Sequence, residues 1–276
     1  MRLDLDRYRV HPGQPVRLAD FDPADTQGMD ADDGKDDAKE LFEAHVEAMD
    51  ALQERLYAEG QQSLLVVLQA MDGGGKDSTI RSVFGPLDPQ GVRVAPFKAP
   101  TEEELAHDFL WRVHAQAPRK GELVVFNRSH YEDVLIVRVH GWAPPGVIER
   151  RYDHINAFER LLLDSHTRIV KLYLHVSKAY QLERMRRRLE RPDKHWKFNP
   201  GDLKERERWD DYMRAFEIAF ERCSTEQAPW YVVPAEKRWF RDLVVAQLLR
   251  ETLEAMDPLY PAPDFNPAEF PPDALV

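Results

Sequence analysis

The sequence predicts an α/β fold, with a parallel sheet of about five strands covered by helices on both faces. Three observations carry that reading. Short apolar runs of strand length alternate with amphipathic stretches of helical length. The first apolar run, Leu64 to Leu68, passes into Gly73, Gly74, Gly75 and Lys76 and then into helical spacing at Ile80 and Val83. Between the two termini, no internal repeat or low-complexity tract interrupts the alternation.

Residues 1–37 are crowded with aspartate (Asp20, Asp22, Asp25, Asp30, Asp32, Asp33, Asp36 and Asp37) and show little periodicity. An irregular acidic arm is expected there, wrapping the domain or a partner subunit. Helices are expected over 38–59, 76–84, 101–115, 129–138, 146–165, 177–191, 202–224 and 237–256. Strands are expected over 64–70, 92–97, 122–127, 168–175 and 229–234. Thr101 with Glu104, and Asp202 with Glu205, have the spacing of a capping box. Pro192 stops the helix before it. Residues 38–256 thus read as one domain. The tail 257–276 is kept irregular by Pro258, Pro261, Pro263, Pro267, Pro271 and Pro272, with Tyr260, Phe265 and Phe270 available as anchors.

The glycine turn is the most informative segment. A strand, then glycines, then a helix aims several backbone N–H groups at one point, beside the positive end of a helix dipole, and cradles a phosphate. Gly73, Gly74, Gly75, Lys76, Asp77 and Ser78 form such a P-loop, with two departures from GxxxxGK[ST]. Ala70 stands where the first glycine belongs, and Asp77 where the magnesium-binding hydroxyl belongs. The plainer alternative is a glycine-rich turn with a surface lysine. The order strand, glycines, lysine, helix favours the phosphate site.

The strand 122–127 ends at Asn127, Arg128 and Ser129. P-loop enzymes usually place a magnesium-binding carboxylate at this point, and Asn127 is a weaker, uncharged ligand. Glu132 and Asp133 follow one turn later. Arg128 with Glu132 has the spacing of a surface pair on a helix. Next to a P-loop, Arg128 is better read as a ligand of the transferring phosphate. Lys98 lies at another strand end, within reach of a phosphate or nucleotide. Trp111 and His114 read as packing residues, and Cys223 as an inert core thiol.

From Gln181 to Lys197 the chain is basic. Arg184, Arg187, Arg188 and Arg191 share one helical face, Leu182, Met185 and Leu189 the opposite, buried one, and Lys194 and Lys197 continue the charge. A row of arginine forks suits a row of phosphates. A solvated helix face is the competing reading for any basic run. Its setting in an acidic protein, after the fourth strand where P-loop kinases often place a lid, favours the phosphate reading.

The bounds are those of a cytosolic enzyme. A chain of 276 residues buries a substantial core. A formal net charge of -11 argues against general nucleic-acid binding. Cys223 is the only cysteine, so an intrachain disulfide is impossible. The N-terminus lacks the apolar core of a signal peptide, and no apolar run reaches membrane-spanning length. A soluble, cytoplasmic location is expected.

AMDGGGKDST, KAPTEEELAHDFLWRVH, FNRSHYEDVLIVRVH and RPDKHWKFNPGDLKERERWDDY together resemble polyphosphate kinase family 2, in its class that accepts nucleoside mono- and diphosphates. The resemblance covers residues 38–256 in order. It implies a three-layer, thymidylate-kinase-like P-loop kinase fold with a helical lid at about 178–201. It also implies magnesium-dependent (or manganese-dependent) phosphoryl transfer between inorganic polyphosphate and purine nucleotides. Asp72 and Lys76 fall on the family's P-loop aspartate and lysine, Arg128 on its phosphate-contacting arginine, and Arg184 to Lys197 on its basic lid. The wider family often has aspartate at the place of Asn127. Asparagine there, with Glu132 and Asp133, resembles the class that phosphorylates AMP as well as ADP.

The expected machinery is therefore Asp72 on magnesium with Asn127 as a weak ligand, and Lys76 and the P-loop N–H groups on phosphates. Arg128 stabilises the moving group, Glu132 orients the acceptor, and the lid arginines hold polyphosphate. A homo-oligomer is expected. Two rivals remain: an ATP-dependent nucleoside or nucleotide kinase on the same fold, and a non-enzymatic polyphosphate-binding protein.

Overall fold

The computed structural model describes residues 2–29 and 33–270. Asp30, Asp32, Pro271 and Pro272 lie outside the described residues. Strands β1 (Ser63–Gln69), β2 (Val92–Pro96), β3 (Leu123–Asn127), β4 (Thr167–His175) and β5 (Trp230–Pro234) form one sheet in the order β2-β3-β1-β4-β5. Every pairing is parallel, with Leu64 opposite Leu123 and Arg168 in register. Parallel strands require crossovers, so helices cover both faces and the strands are buried on both sides. All seven residues of β1 are buried accordingly.

The helices are α1 (Asp33–Glu59), α2 (Lys76–Thr79), α3 (Glu102–Ala106), α4 (Trp111–His114), α5 (Ile136–His140), α6 (Pro145–Asp164), α7 (Lys178–Glu190), α8 (Gly201–Glu207), α9 (Trp209–Cys223) and α10 (Arg238–Met256). Helix α2 continues as a wider turn over Ile80–Phe84. Helices α1 and α10 pack together against one face of the sheet, and α6 with α9 against the other. Helix α10 buries residues around most of its circumference, which is why its sequence shows no polar stripe. None of the described helices is long and apolar enough to cross a membrane.

Three of the expected helices are interrupted, each for a local reason. In 101–115 the capping box forms, Thr101 N–H donating to Glu104 at 2.8 Å, but the Asp108 carboxylate then accepts from Leu110 N at 2.9 Å and starts a second turn. In 129–138 the Ser129 hydroxyl accepts from Tyr131 N and closes a single tight turn over His130–Asp133 before α5 begins. In 202–224 Arg208 leaves the helical region, and its guanidinium donates to Val139 O at 3.1 Å. The Asp202–Glu205 box does not form. Asn199 accepts from Gly201 N instead, while Glu205 turns to His140 at 2.8 Å and Tyr212 at 2.6 Å.

The acidic arm is irregular apart from two short turns and lies on its own domain, with Leu3, Tyr8, Val10, Val16 and Leu18 buried, but it ends sooner than residue 37, because α1 already begins at Asp33. Val10 N donates to Trp230 O at 2.8 Å, and Leu18 N to Glu217 at 2.9 Å. In the tail, Tyr260, Phe265 and Phe270 stay exposed, so they do not anchor it to this chain. Phe265 and Phe270 pack edge to face on each other.

A charged hub sits inside the α6–α9 side of the core. Lys171, in the middle of β4, is fully buried. Its Nζ donates to Glu159 at 2.6 Å, Cys223 O at 2.6 Å and Tyr131 Oη at 3.1 Å. Burial pushes the Glu159 carboxyl up, but Lys171 and the His130 hydrogen bond outweigh it and hold it below the usual range. The hub fixes the turn His130–Asp133, which follows Arg128 in the chain. Removing one member leaves its partner charged in a dry core. Lys171→Met is therefore expected to lower stability by roughly 3–5 kcal/mol. Urea denaturation with an unchanged m-value measures it, and a loss below about 1 kcal/mol would mean the pair contributes no more than a surface one.

Candidate active site

The P-loop occupies the carboxyl end of the central strand β1. Gly75 has φ 106°, and a Cβ there would collide with Arg241 Nη1, so only glycine fits this turn. Lys76 opens α2 and is 9% exposed, its Nζ donating to Ala70 O at 2.8 Å. Burial and, after it, the neighbouring Arg128 lower the Lys76 ammonium to about 8. Asp72 and Glu132 only partly offset this. The Ser78 hydroxyl donates to Gly75 O at 2.7 Å and braces the turn.

Arg128 stands at the end of β3 with φ 64°, a left-handed conformation that costs on the order of 1 kcal/mol in a residue with a Cβ. Neighbouring contacts hold it there. Its N–H donates to Leu68 O of β1 at 3.1 Å, and its Nη2 to Asp72 Oδ1 at 2.6 Å. Glu132 lies behind it, 3.5 Å from Nη1. The Gln69 amide, turned to satisfy its neighbours, donates to the other Glu132 oxygen at 3.0 Å. Burial works against the Arg128 charge, but Glu132 and Asp72 outweigh it.

These loops floor a cavity of about 670 Å³. The ends of β2 and β3 add Lys98, Asn127 and Arg128, and the lid adds Arg184, Arg187, Arg188, Arg191, Lys194 and Lys197. The structure thus brings Asp72, Gly73, Gly75, Lys76, Asp77, Ser78 and these nine residues into one wall. Gly74 and Glu132 are not on it. Gly74 is packed against the backbone beneath the loop, where a Cβ would lie 2.8 Å from that of Ala70. Glu132 supports Arg128 rather than facing the cavity. Asp133 points away, 3.1 Å from Arg151, and burial pushes it up to about 6. Asn127 donates from Nδ2 to Asp77 Oδ1 at 3.1 Å, which leaves its amide oxygen free toward the cavity.

The arginine row does line the cavity, but the helix face opposite it is only partly buried. Met185 is in the core, whereas Leu189 is 52% exposed because the last turns of α7 stand clear of the sheet. Several lid charges have local partners: Arg187 with Glu183, Arg191 and Lys194 with Asp193, and Arg188 with Asp202 at 3.5 Å. Arg184 has none among the described residues. Burial, then Arg238, Arg188 and Arg187, lower its pKa.

Sequence reasoning missed Arg81, Arg238, Trp196 and Gln181. Arg238 follows β5, so the strand-end rule pointed to it, and Arg81 lies in the wider turn that continues α2 beyond the P-loop. Gln181 donates to Asp72 O at 2.8 Å and ties the root of the lid to the P-loop, a contact no local pattern announces. His114 packs edge-on against Phe158, as expected, while Trp111 is half exposed and stacked on His107.

The sequence profile of the family described as Polyphosphate kinase 2 (PPK2) matches residues 31–260. The chain belongs to this family. It is 54% identical over 260 residues to the AMP/ADP-polyphosphate phosphotransferase of Meiothermus ruber, covering 94% of this chain and 97% of that protein. It is 39% identical over 277 residues to the ADP-polyphosphate phosphotransferase of Rhodopseudomonas palustris, covering 95% and 93%. The crystal structure of polyphosphate kinase 2 from Arthrobacter aurescens TC1 superposes with a TM-score of 0.91 at 47% identity, covering 97% of each chain.

A phosphate ligand favours the charged form of Lys76, so binding above its free pKa takes up a proton. Affinity for tripolyphosphate is therefore expected to hold below pH about 8 and to weaken as pH rises through that value. Calorimetry in buffers of differing ionisation enthalpy reads both effects. A pH profile identical in Lys76→Met would remove Lys76 from the phosphate site.

Proposed function

We propose that this chain transfers the terminal phosphoryl group of inorganic polyphosphate to AMP and to ADP, reversibly and with a divalent cation. One observation carries the proposal: the P-loop cavity continues without a break onto the cationic face of the lid. That wall suits a long polyanion more than a donor nucleotide, because its exposed apolar members are few beside its arginines and lysines. The names of the Meiothermus ruber and Rhodopseudomonas palustris relatives support the same reading.

In this reading the chain works by positioning and by neutralising charge, which supply most of the catalysis in phosphoryl transfer. Lys76 and the P-loop N–H groups hold one set of phosphates. Arg128, kept in place by Asp72 and Glu132, stabilises charge on the moving group. Glu132 acts through Arg128 and orients the acceptor indirectly. Arg184, Arg187, Arg188, Arg191, Lys194 and Lys197 grip the polyphosphate and, with the lid closed, exclude water. No general base is required, since the accepting phosphate is already ionised.

Among the described residues no three carboxylate, histidine or cysteine side chains gather as a self-contained metal site. The residues present nevertheless fit Mg²⁺ or Mn²⁺, which take one or two carboxylates and complete their shell with substrate phosphates and water. Asp72 and Asp77 both line the cavity. A cation held there by Asp72 or Asp77 would supply neutralisation of phosphate charge. We place the enzyme in the cytoplasm as a homo-oligomer, a state for which the exposed Leu259, Tyr260, Phe265 and Phe270 offer contact surface.

Incubation with AMP, Mg²⁺ and long-chain polyphosphate, without ATP, is expected to yield ADP and then ATP. Lys76→Ala is expected to lower turnover by about two orders of magnitude, the scale of one lost preorganised charge contact. Phosphorylation only with ATP as donor would place the chain among nucleotide kinases.

Arg184→Ala tests the lid. It is expected to raise the Michaelis constant for long polyphosphate by about tenfold, the scale of one charge-assisted bond, and that for AMP much less. The salt dependence of polyphosphate affinity should also flatten. Unchanged affinity and an unchanged salt slope would make the arginine row a solvated helix face.

A further inference from the structure

We propose that Arg241 is a positioning residue of the phosphate site, its buried guanidinium bracing the P-loop at Gly75 and turning the positive side of its pair with Asp242 toward the bound phosphates. This rests on the phosphoryl-transfer reading above. The P-loop offers backbone donors: the N–H groups of Gly75, Lys76 and Asp77 have no acceptor among the described residues. Such a cradle fits a phosphate only while the turn keeps its shape. Gly75 is the weak point of that turn, because a glycine has more backbone freedom to lose than any other residue.

Two sets of contacts hold Gly75. Its carbonyl accepts from Ser78 N and Thr79 N at 3.0 Å each and from Ser78 Oγ at 2.7 Å, which ties it into α2. Its α-carbon meets the guanidinium, for Arg241 Nη1 fills the space that a Cβ at this position would need. The two residues exclude each other. A side chain at Gly75 would expel the guanidinium, and the guanidinium blocks the turn from shifting toward α10. Helix α10 carries Arg241 to this place in its first turn, and the same helix packs on the wider turn Ile80–Phe84 that continues α2. Arg238, one turn earlier, lines the cavity, whereas Arg241 is 2% exposed and lies behind its wall.

The pairing of Arg241 is one-sided. Its Nε donates to Asp242 Oδ1 at 2.8 Å, and its Nη2 lies 2.6 Å from the same oxygen. Nη1 has no acceptor among the described residues, and it is the group turned to Gly75. An unmet charged donor in a dry interior is costly, so an ion pair kept for packing alone has its donors matched. Here the unmet donor faces an anion site. A fixed pair with its cationic side toward the phosphates favours them without reorganising when they arrive, and most strongly where water is excluded. Arg184 and Arg188 belong to the lid, whereas Arg241 stands on a core helix and is in place before the donor binds.

The test compares Arg241→Met with Arg241→Met/Asp242→Asn, which removes the pair without leaving a lone buried carboxylate. Thermal unfolding sets a temperature at which each variant is folded. There, calorimetric affinity for tripolyphosphate is expected to fall by about tenfold, the scale of one charge-assisted contact. The kcat with polyphosphate is expected to fall further, because a displaced cradle misplaces the reacting phosphate, while KM for AMP stays near its wild-type value. Gly75→Ala is expected to cost less tripolyphosphate affinity in an Arg241→Ala background than in the wild type, since the collision is gone and only the backbone strain remains. Wild-type tripolyphosphate affinity in the folded double variant overturns the assignment. So do equal losses for tripolyphosphate and AMP, additive effects of Gly75→Ala and Arg241→Ala, or a wild type that does not bind tripolyphosphate. The expected loss of tripolyphosphate affinity in a protein that phosphorylates AMP only from ATP would instead uphold the role of Arg241 and remove the donor reading.

Discussion

Like charge held together at the carboxyl ends of parallel strands is the constraint around which this molecule is arranged. Lys76 is buried and, through burial and Arg128, sits well below the usual lysine range. Arg184 is depressed by burial and by Arg238. Such a cluster opposes folding and must be carried by the apolar sheet beneath it, where β1 is buried along its whole length. The same repulsion is relieved when a polyanion enters, so part of the cost of folding returns as affinity. Asp72, Asp77 and Asp202 keep the free protein from being more strained still, each lying against a cation of the site.

The lid is pinned at its roots and held in its middle by charge pairs rather than by a core, Arg188 with Asp202 and Lys197 with Asp77. At one end Gln181 binds Asp72 O, and Arg206 reaches back to Gln181 Oε1 at 3.0 Å. At the other end Glu205 joins His140 and Tyr212, and Arg208 holds Val139 O. Between these anchors Leu189 and Trp196 are 52% and 77% exposed, with no core to hold them. The buried Lys171–Glu159 pair does the corresponding work below the site, fixing the turn that follows the strained Arg128.

Much of this was legible from local sequence. Five apolar runs marked five strands, and glycine, lysine and helix in order marked the phosphate cradle, because backbone angles and strand burial are decided by near neighbours. The arginine row was legible as a face, since helical spacing fixes which side chains point together. Where helices break was not, because Asp108 and Ser129 compete for backbone N–H groups, and Arg208 reaches a distant carbonyl, in ways that spacing alone does not rank.

The sequence by itself determined which side chains are present: a P-loop lysine, a strand-end arginine and a row of arginines after the fourth strand. Only the tertiary structure decided which groups touch. It closed Asp72 on Arg128, set Glu132 behind that arginine, brought Asn127 to Asp77, and added Arg81 and Arg238 to the wall. The reason is physical. Apart from Arg128 with Glu132, which helical spacing already paired, these contacts join residues far apart in sequence, and their partners are chosen by strand order and by the packing of α7 and α10 over the sheet ends, which no local pattern encodes.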